Sequence, residues 1–222
     1  VSTLQYSEKG QRMKRAIATF GVGKCEPMLN IALPSFKAFA KRHGYDLFVA
    51  DKTGMARPPA WYKIPMLQTL LADYDEVLWL DSDTVIVDGR EDLNVPPEAW
   101  QAVVIHRTNE GESPNLGVWL VRKAMSPYLQ QAWDLTEYIH HKWWENAAII
   151  DLMGFDPAHP VCPAIPNELF SHTHRLENWW NSTQVDQWAV HPARINHIAA
   201  CYSNKTEVMA VWAQDALKWM EE

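Results

Sequence analysis

The chain has 222 residues, 47% of them hydrophobic and 21% charged, the balance of a folded protein with a substantial core. Its net charge of −7 comes from acids and bases mixed along the length, with no basic tract or arginine-rich arm, so the electrostatic footprint of a nucleic-acid binder is missing. No stretch reaches the roughly 20 apolar residues of a membrane span, and the polar opening VSTLQYSEKGQRMKR has no apolar signal core.

Cys25, Cys162 and Cys201 are widely spaced, form no CxxC pair and are odd in number, which argues against a disulfide framework and for a reducing, cytoplasmic setting. The alternative is a lumenal catalytic domain cut from a membrane-anchored enzyme. Twelve tryptophans are many for this length. Most are expected in the core, although flat aromatic faces also suit the CH face of a pyranose ring.

In chain order, residues 16–22 (AIATFGV) predict a first strand. Apolar positions at helical spacing predict a helix from Glu26 to His43, kinked or split at Pro34 and stopped by Gly44. YDLFVA at 45–50 reads as a second strand, 51–60 as a loop, and Trp61 to Ala72 as a second helix. A third strand runs from about Glu76 to Leu80. This alternation is the mark of an α/β domain with parallel strands. Further strands are expected at 102–106, 117–122 and within 188–200, and helices at 126–142, 144–153 and 206–221. The proline-rich segment 157–166 reads as a loop or short edge strand. With no internal repeat and no convincing linker, residues 13–222 read as one domain behind a polar extension, 1–12.

The third strand runs straight into Asp81-Ser82-Asp83. Two like charges at a buried strand's end resist desolvation and call for positive charge nearby. Ligands of open α/β sheets sit beyond the carboxyl ends of the strands, which is where these acids fall. If the extended conformation persists, alternation puts Asp81 and Asp83 on one side and Ser82 on the other. Paired carboxylates suit a hard divalent cation such as Mg²⁺ or Mn²⁺, with a nucleotide diphosphate as its natural companion. A plain surface turn would look the same.

Two enzyme classes use this pattern. In nucleotide-sugar glycosyltransferases the acids grip the metal that holds the leaving diphosphate. In haloacid-dehalogenase phosphatases DxDx(T/V) supplies a nucleophile and an acid/base, and Asp81 to Val85 fits that as well. The phosphatase motif normally sits on the first strand and is followed by a second acidic pair. Here a βαβ unit precedes it and no such pair follows, so glycosyl transfer is the better reading.

Six segments, in order, resemble the metal-dependent α-glycosyltransferases that include fungal α-1,2-galactosyl- and α-1,6-mannosyltransferases and plant xyloglucan xylosyltransferases. They are HGYDLF (43–48), AWYKIPM (60–66), VLWLDSDTVI (77–86), NLGVWLVR (115–122), ENAAI (145–149) and HIAAC (197–201). The resemblance implies a single GT-A domain with a central, mostly parallel sheet flanked by helices. It also implies a nucleotide-diphosphate sugar donor (UDP-sugar favoured, GDP-sugar possible), Mn²⁺ or Mg²⁺, a carbohydrate or glycoconjugate acceptor and retention of configuration.

Carried over position by position, Asp81, Asp83 and His197 are the expected metal ligands, and Ser82 lies against the ribose. Asn115 and Gly117 line the donor sugar. Lys63 approaches the nucleotide or the acidic edge, although an exposed helix lysine is its plain reading. Glu145 accepts hydrogen bonds from donor hydroxyls and is the carboxylate to test if the reaction has a nucleophile. Asn146 stands where the family has a glutamine near the anomeric carbon. Where the family has a lysine for the diphosphate this chain has Tyr202, and Lys205 is the substitute. These two departures leave a catalytically degenerate sugar- or nucleotide-binding protein as a further alternative. Trp143-Trp144 and Trp179-Trp180 are candidate acceptor platforms, and the sequons at Asn181 and Asn204 carry meaning only in a secreted chain.

Overall fold

A computed structural model describes residues 13–51, 54–108, 111–159, 166–183, 192–198 and 204–221. Strand β1 (Arg15–Phe20) is buried at all six positions, which explains its continuous apolar sequence without alternation. Helix α1 (Glu26–His43) follows and stops at Gly44, whose φ of 75° is left-handed and whose N–H reaches the Ala40 carbonyl. It runs unbroken through Pro34. Pro34 and Asn30, the residue whose carbonyl loses its partner, both face solvent, where water replaces the missing N–H.

Strand β2 (Asp46–Ala50) leads through a 3-10 turn at Pro59–Tyr62 into α2 (Lys63–Asp73), and then comes β3 (Glu76–Leu80). The chain continues through β4 (Thr84–Ile86), β5 (Gln101–Thr108) and β6 (Gly111–Arg122). Helices α3 (Ser126–Asp134), α4 (Trp144–Leu152) and α5 (Glu168–Ser171) precede β7 (Thr173–Leu176), β8 (Ser182–Thr183), β9 (Ile195–His197) and α6 (Lys205–Met220). The helix expected over 126–142 ends early, at Asp134. Carbonyls that would have continued it are captured from outside: Arg57 Nη1 donates to Trp133 O at 2.7 Å and Trp61 Nε1 to Ile139 O at 3.2 Å. The strand expected at 117–122 starts six residues sooner, at Gly111. Of the segment 157–166, residues 160–165 lie outside the described residues, as do 184–191 and 199–203.

The main sheet has the order β2-β1-β3-β6-β5-β7, and three of its five pairings are parallel. Alternate residues of each strand feed opposite cores. Ile17, Leu78, Leu80, Val118 and Leu120 pack against α1, α6 and the small sheet β4-β9-β8. Ala16, Ala18, Val77, Trp79 and Trp119 pack against α2, α3 and α4. One edge of the sheet is pinned by charge: Glu76 takes Arg15 Nε at 3.1 Å on one oxygen and Arg122 Nε at 2.9 Å on the other. These residues are in register at the start of β1, the start of β3 and the end of antiparallel β6. The carboxyl ends of β1 and β3, at the opposite edge, are left open for a ligand. Among the described residues no helix is long and apolar enough to cross a membrane.

Candidate active site

The acids leave β3 in a turn, not in extended chain. The Thr84 N–H and hydroxyl both donate to the Asp81 carbonyl, at 3.1 and 2.8 Å, and close the turn around Ser82 and Asp83. Alternation therefore does not hold past Leu80. The turn itself brings Asp81 and Asp83 together: one ligand atom from each, with one from His197, lie within 4.8 Å of one another. β9 supplies the histidine, pairing antiparallel to β4 with Thr84 opposite His197.

A bulge in β6 shapes the neighbouring wall. Val103 pairs with Trp119, but Val104 pairs with Asn115, so Leu116, Gly117 and Val118 have no partners on β5. The freed backbone turns to β3, where the Asp81 N–H donates to Gly117 O at 2.8 Å. A Cβ on Gly117 would lie 2.4 Å from His197 Cε1, so only glycine lets the strand pass the imidazole.

Positive charge meets both acids, as their burial requires. Asp83 Oδ2 takes Lys205 Nζ at 2.9 Å, and its Oδ1 faces His197 Nε2 at 3.4 Å. Burial works against the Asp83 carboxylate, but His197 and Lys205 outweigh it and hold its pKa well below the usual carboxylate range. Asp81 Oδ1 accepts Trp79 Nε1 at 2.6 Å and lies 3.1 Å from Lys63 Nζ. Two carboxylates and an imidazole suit Mn²⁺ or Mg²⁺. The surroundings fit such an ion too, because the glycine at 117 keeps the His197 face of the cleft open.

Lys63 is not the exposed helix lysine of the plain reading. It is 3% exposed, and its ammonium meets three oxygens: Asp81 Oδ1, Glu145 Oε1 at 2.9 Å and Leu116 O at 3.2 Å. Burial alone would lower its pKa, but Asp81 and Glu145 outweigh burial and raise it. Glu145 is pushed up, by burial first, with Lys63 pulling the other way. Its second oxygen, Oε2, is buried and has no hydrogen-bond partner among the described residues.

Asn146 Oδ1 accepts the Leu116 N–H at 3.1 Å, which ties its amide to the bulge. Asp81, Ser82, Asp83, Asn115, Glu145 and Asn146 share one cleft of about 610 Å³, together with Lys63, Gly117 and His197. Lys205 reaches this group through Asp83. Trp143 and Trp144 line the cleft as well, whereas Trp179 and Trp180 do not. Trp144 is 43% exposed and holds a φ of +46°, a left-handed conformation costly for a bulky side chain. Of HIAAC, only His197 and Ile198 are among the described residues, and Tyr202 is not.

Sequence reasoning missed Trp79 and Asn181. Trp79 stands two residues before Asp81, the i, i+2 spacing that puts two side chains on one face of a strand. Asn181 looked like a glycosylation sequon, but it is fully buried, with Ser182 and Thr183 beside it at 0% and 2% exposure. Its side chain is spent on His197 and Asn115.

The profile of the galactosyl transferase GMA12/MNN10 family matches residues 23–144. Among solved structures, the chain is similar to a glycosyltransferase involved in glycosylating the major capsid of PBCV-1, with a TM-score of 0.66 and 14% identity over 88% of this chain and 99% of that one. It is also similar to GlyE of Streptococcus pneumoniae TIGR4, with a TM-score of 0.61 and 15% identity over 95% of this chain and 64% of that one. A third likeness is to the galactosyltransferase LgtC in complex with donor and acceptor sugar analogues, with a TM-score of 0.57 and 11% identity over 90% and 95% of the two chains. No curated protein matches the sequence significantly.

Proposed function

Since the chain belongs to the GMA12/MNN10 galactosyl transferase family, whose profile spans more than half of it, we propose that it moves a hexose or pentose from a nucleotide-diphosphate sugar to a hydroxyl of a carbohydrate or glycoconjugate, with a divalent cation and with retention of configuration. The observation that carries this reading is the convergence of Asp81, Asp83 and His197 at the open end of β3, in a cleft that also holds Glu145 and Asn115. In this reading residues 13–222 act as a single GT-A domain. The cytoplasmic setting belongs to the proposal, with a lumenal domain as its alternative.

Asp81, Asp83 and His197 hold the cation, Mn²⁺ or Mg²⁺. When bound, it supplies positive charge to the diphosphate as that group departs. Lys205 stands beside Asp83 and adds a second positive charge for the β-phosphate. Ser82 takes the ribose, and Asn115, Gly117 and Asn146 line the sugar. Glu145 Oε2, buried and without a partner among the described residues, is the acceptor for a donor-sugar hydroxyl. Lys63 serves the acidic edge, one of the two destinations considered for it. Its role is to hold Asp81 and Glu145 in place as carboxylates. Trp144 offers its exposed face to the acceptor sugar.

The bond between the anomeric carbon and the phosphate oxygen breaks with its electron pair leaving on the diphosphate. The sugar passes through an oxocarbenium-like state. The acceptor oxygen then bonds to the anomeric carbon from the face just vacated, and its proton goes to the departing phosphate. No separate strong base is needed.

Nothing found favours the dehalogenase alternative, and the structural relatives are glycosyltransferases. A thermal-shift screen of UDP-, GDP- and dTDP-sugars, each with and without Mn²⁺, tests the proposal, because a ligand that binds only the folded state raises Tm. The expected result is a rise for one nucleotide, UDP in the first instance, that needs the cation. Nucleotide binding indifferent to Mn²⁺ overturns the metal-dependent reading. NMR of the product's anomeric proton tests retention.

A further inference from the structure

Asn181 lies fully buried between two candidate ligand-bearing elements, 16 residues from His197 and 66 from Asn115. Its Nδ2 donates to the Asn115 carbonyl at 3.3 Å and to Asn115 Oδ1 at 3.0 Å. Both partners are acceptors only, so the NH2 end of the Asn181 amide must face them. Oδ1 is then the end 2.9 Å from His197 Nδ1. An amide oxygen can only accept, so Nδ1 carries a proton, and Nε2 is the nitrogen turned toward Asp83.

The same logic fixes Asn115. Its Oδ1 already accepts from Asn181 and from the Gly117 N–H at 2.9 Å. The NH2 end of its own amide is left as a donor for the cleft that the residue lines. One buried asparagine thus sets two orientations, the tautomer of His197 and the amide of Asn115.

We infer that Asn181 is a positioning residue that locks His197 in the Nδ1–H tautomer, presenting Nε2 as a cation ligand and Asn115 Nδ2 as a donor to the sugar nucleotide. This rests on the metal-binding reading of Asp81, Asp83 and His197. Without Asn181, an acceptor for an imidazole N–H is still at hand in Asp83 Oδ1, 3.4 Å from Nε2. The proton would move to Nε2, and the lone pair needed by a cation would point away. Partners of this kind on a metal-binding imidazole contribute about 10–100-fold in affinity.

The test uses the intact chain without metal, with ¹⁵N-labelled histidine and the His197 signals assigned by their loss in His197→Gln. Wild type is expected to show Nδ1–H. Asn181→Ala and Asn181→Leu are expected to shift the ring to Nε2–H and to weaken Mn²⁺ binding, read by electron paramagnetic resonance, by about 10–100-fold. Asn181→Asp keeps an oxygen for Nδ1–H and should restore the tautomer. A wild-type ring without the Nδ1 proton overturns the inference even if the variants fail to fold, and so does an unchanged Nδ1 proton in Asn181→Ala. If wild type shows Nδ1–H yet binds no Mn²⁺ with UDP present, the metal reading fails while the lock itself stands.

Discussion

Lys63 Nζ and Glu145 Oε1 form a buried ion pair, 2.9 Å apart, between side chains that are each about 5% exposed or less. The pair couples the start of α2 to the start of α4 across the cleft floor. Lys63→Met removes the only ammonium that pairs with Glu145 among the described residues and leaves a buried carboxylate. We expect a loss of about 3–5 kcal/mol in urea unfolding, the usual cost of breaking such a pair from one side. Glu145→Gln in the same background should recover most of that loss, because a neutral amide needs no counter-charge. Should the double variant be as unstable as Lys63→Met alone, the pair does not hold this part of the fold together.

Gly117 meets a different constraint. The 2.4 Å gap between its would-be Cβ and His197 Cε1 lies far below any real contact, and Asn181 holds the imidazole from behind. Gly117→Ala must therefore push either the β6 bulge or the histidine. Overpacking of this sort costs about 1–3 kcal/mol. Because His197 is the displaced group, Mn²⁺ affinity in the folded variant should drop by at least about tenfold, in the range seen when a ligand's support is lost. Isothermal titration with Mn²⁺ and UDP would read it. An unchanged affinity would mean that His197 is not a ligand.

Much of this was legible in the residues, for stated reasons. β1, β3 and α1 announce themselves through unbroken apolar runs or helical spacing that burial then uses directly. Asp81 and Asp83 were legible because two acids at a strand exit are unfavourable without a reason. Lys63 was legible only through the family resemblance, since a lysine at a helix start has the same local sequence whether it faces solvent or Glu145, 82 positions away. Asn181 was hidden likewise: its local context is a sequon, and its partners come from β6 and β9. The early end of α3 depended on Arg57 and Trp61 capturing carbonyls from another part of the chain. Local pattern gives elements; long-range polar pairing gives the site.

Trp144 is expected to separate acceptor binding from everything else. Its φ of +46° costs about 1–2 kcal/mol for a side chain of this type, and 43% of its surface is open to solvent beside the cleft. Trp144→Gly relieves the backbone, so stability should hold or rise slightly in thermal unfolding. Loss of the aromatic face should raise the KM for a carbohydrate acceptor by about tenfold, equivalent to about 1.4 kcal/mol of stacking. The KM for the nucleotide sugar, measured by donor hydrolysis without acceptor, should stay put. A change in donor KM alone would move Trp144 to the donor side of the cleft.

His106, on β5 and 1% exposed, should leave a mark on stability against pH. Burial, helped by the nearby charge of His197, pushes its pKa from 6.5 down to about 4. In that interval the unfolded chain binds the proton and the folded one does not, so folding loses stability as pH falls from 6.5 toward 4. The full loss is about 3 kcal/mol, reached once the pH is below the folded value. Glu145, pushed up by burial, works in the opposite sense, its contribution being lost as pH rises through its raised pKa. The comparison must therefore be between wild type and His106→Gln, which carries no titrating ring. Urea midpoints at pH 7, 6, 5 and 4 should fall more steeply for wild type than for the variant. Parallel curves would mean that His106 takes up its proton in the folded protein as readily as in the unfolded chain.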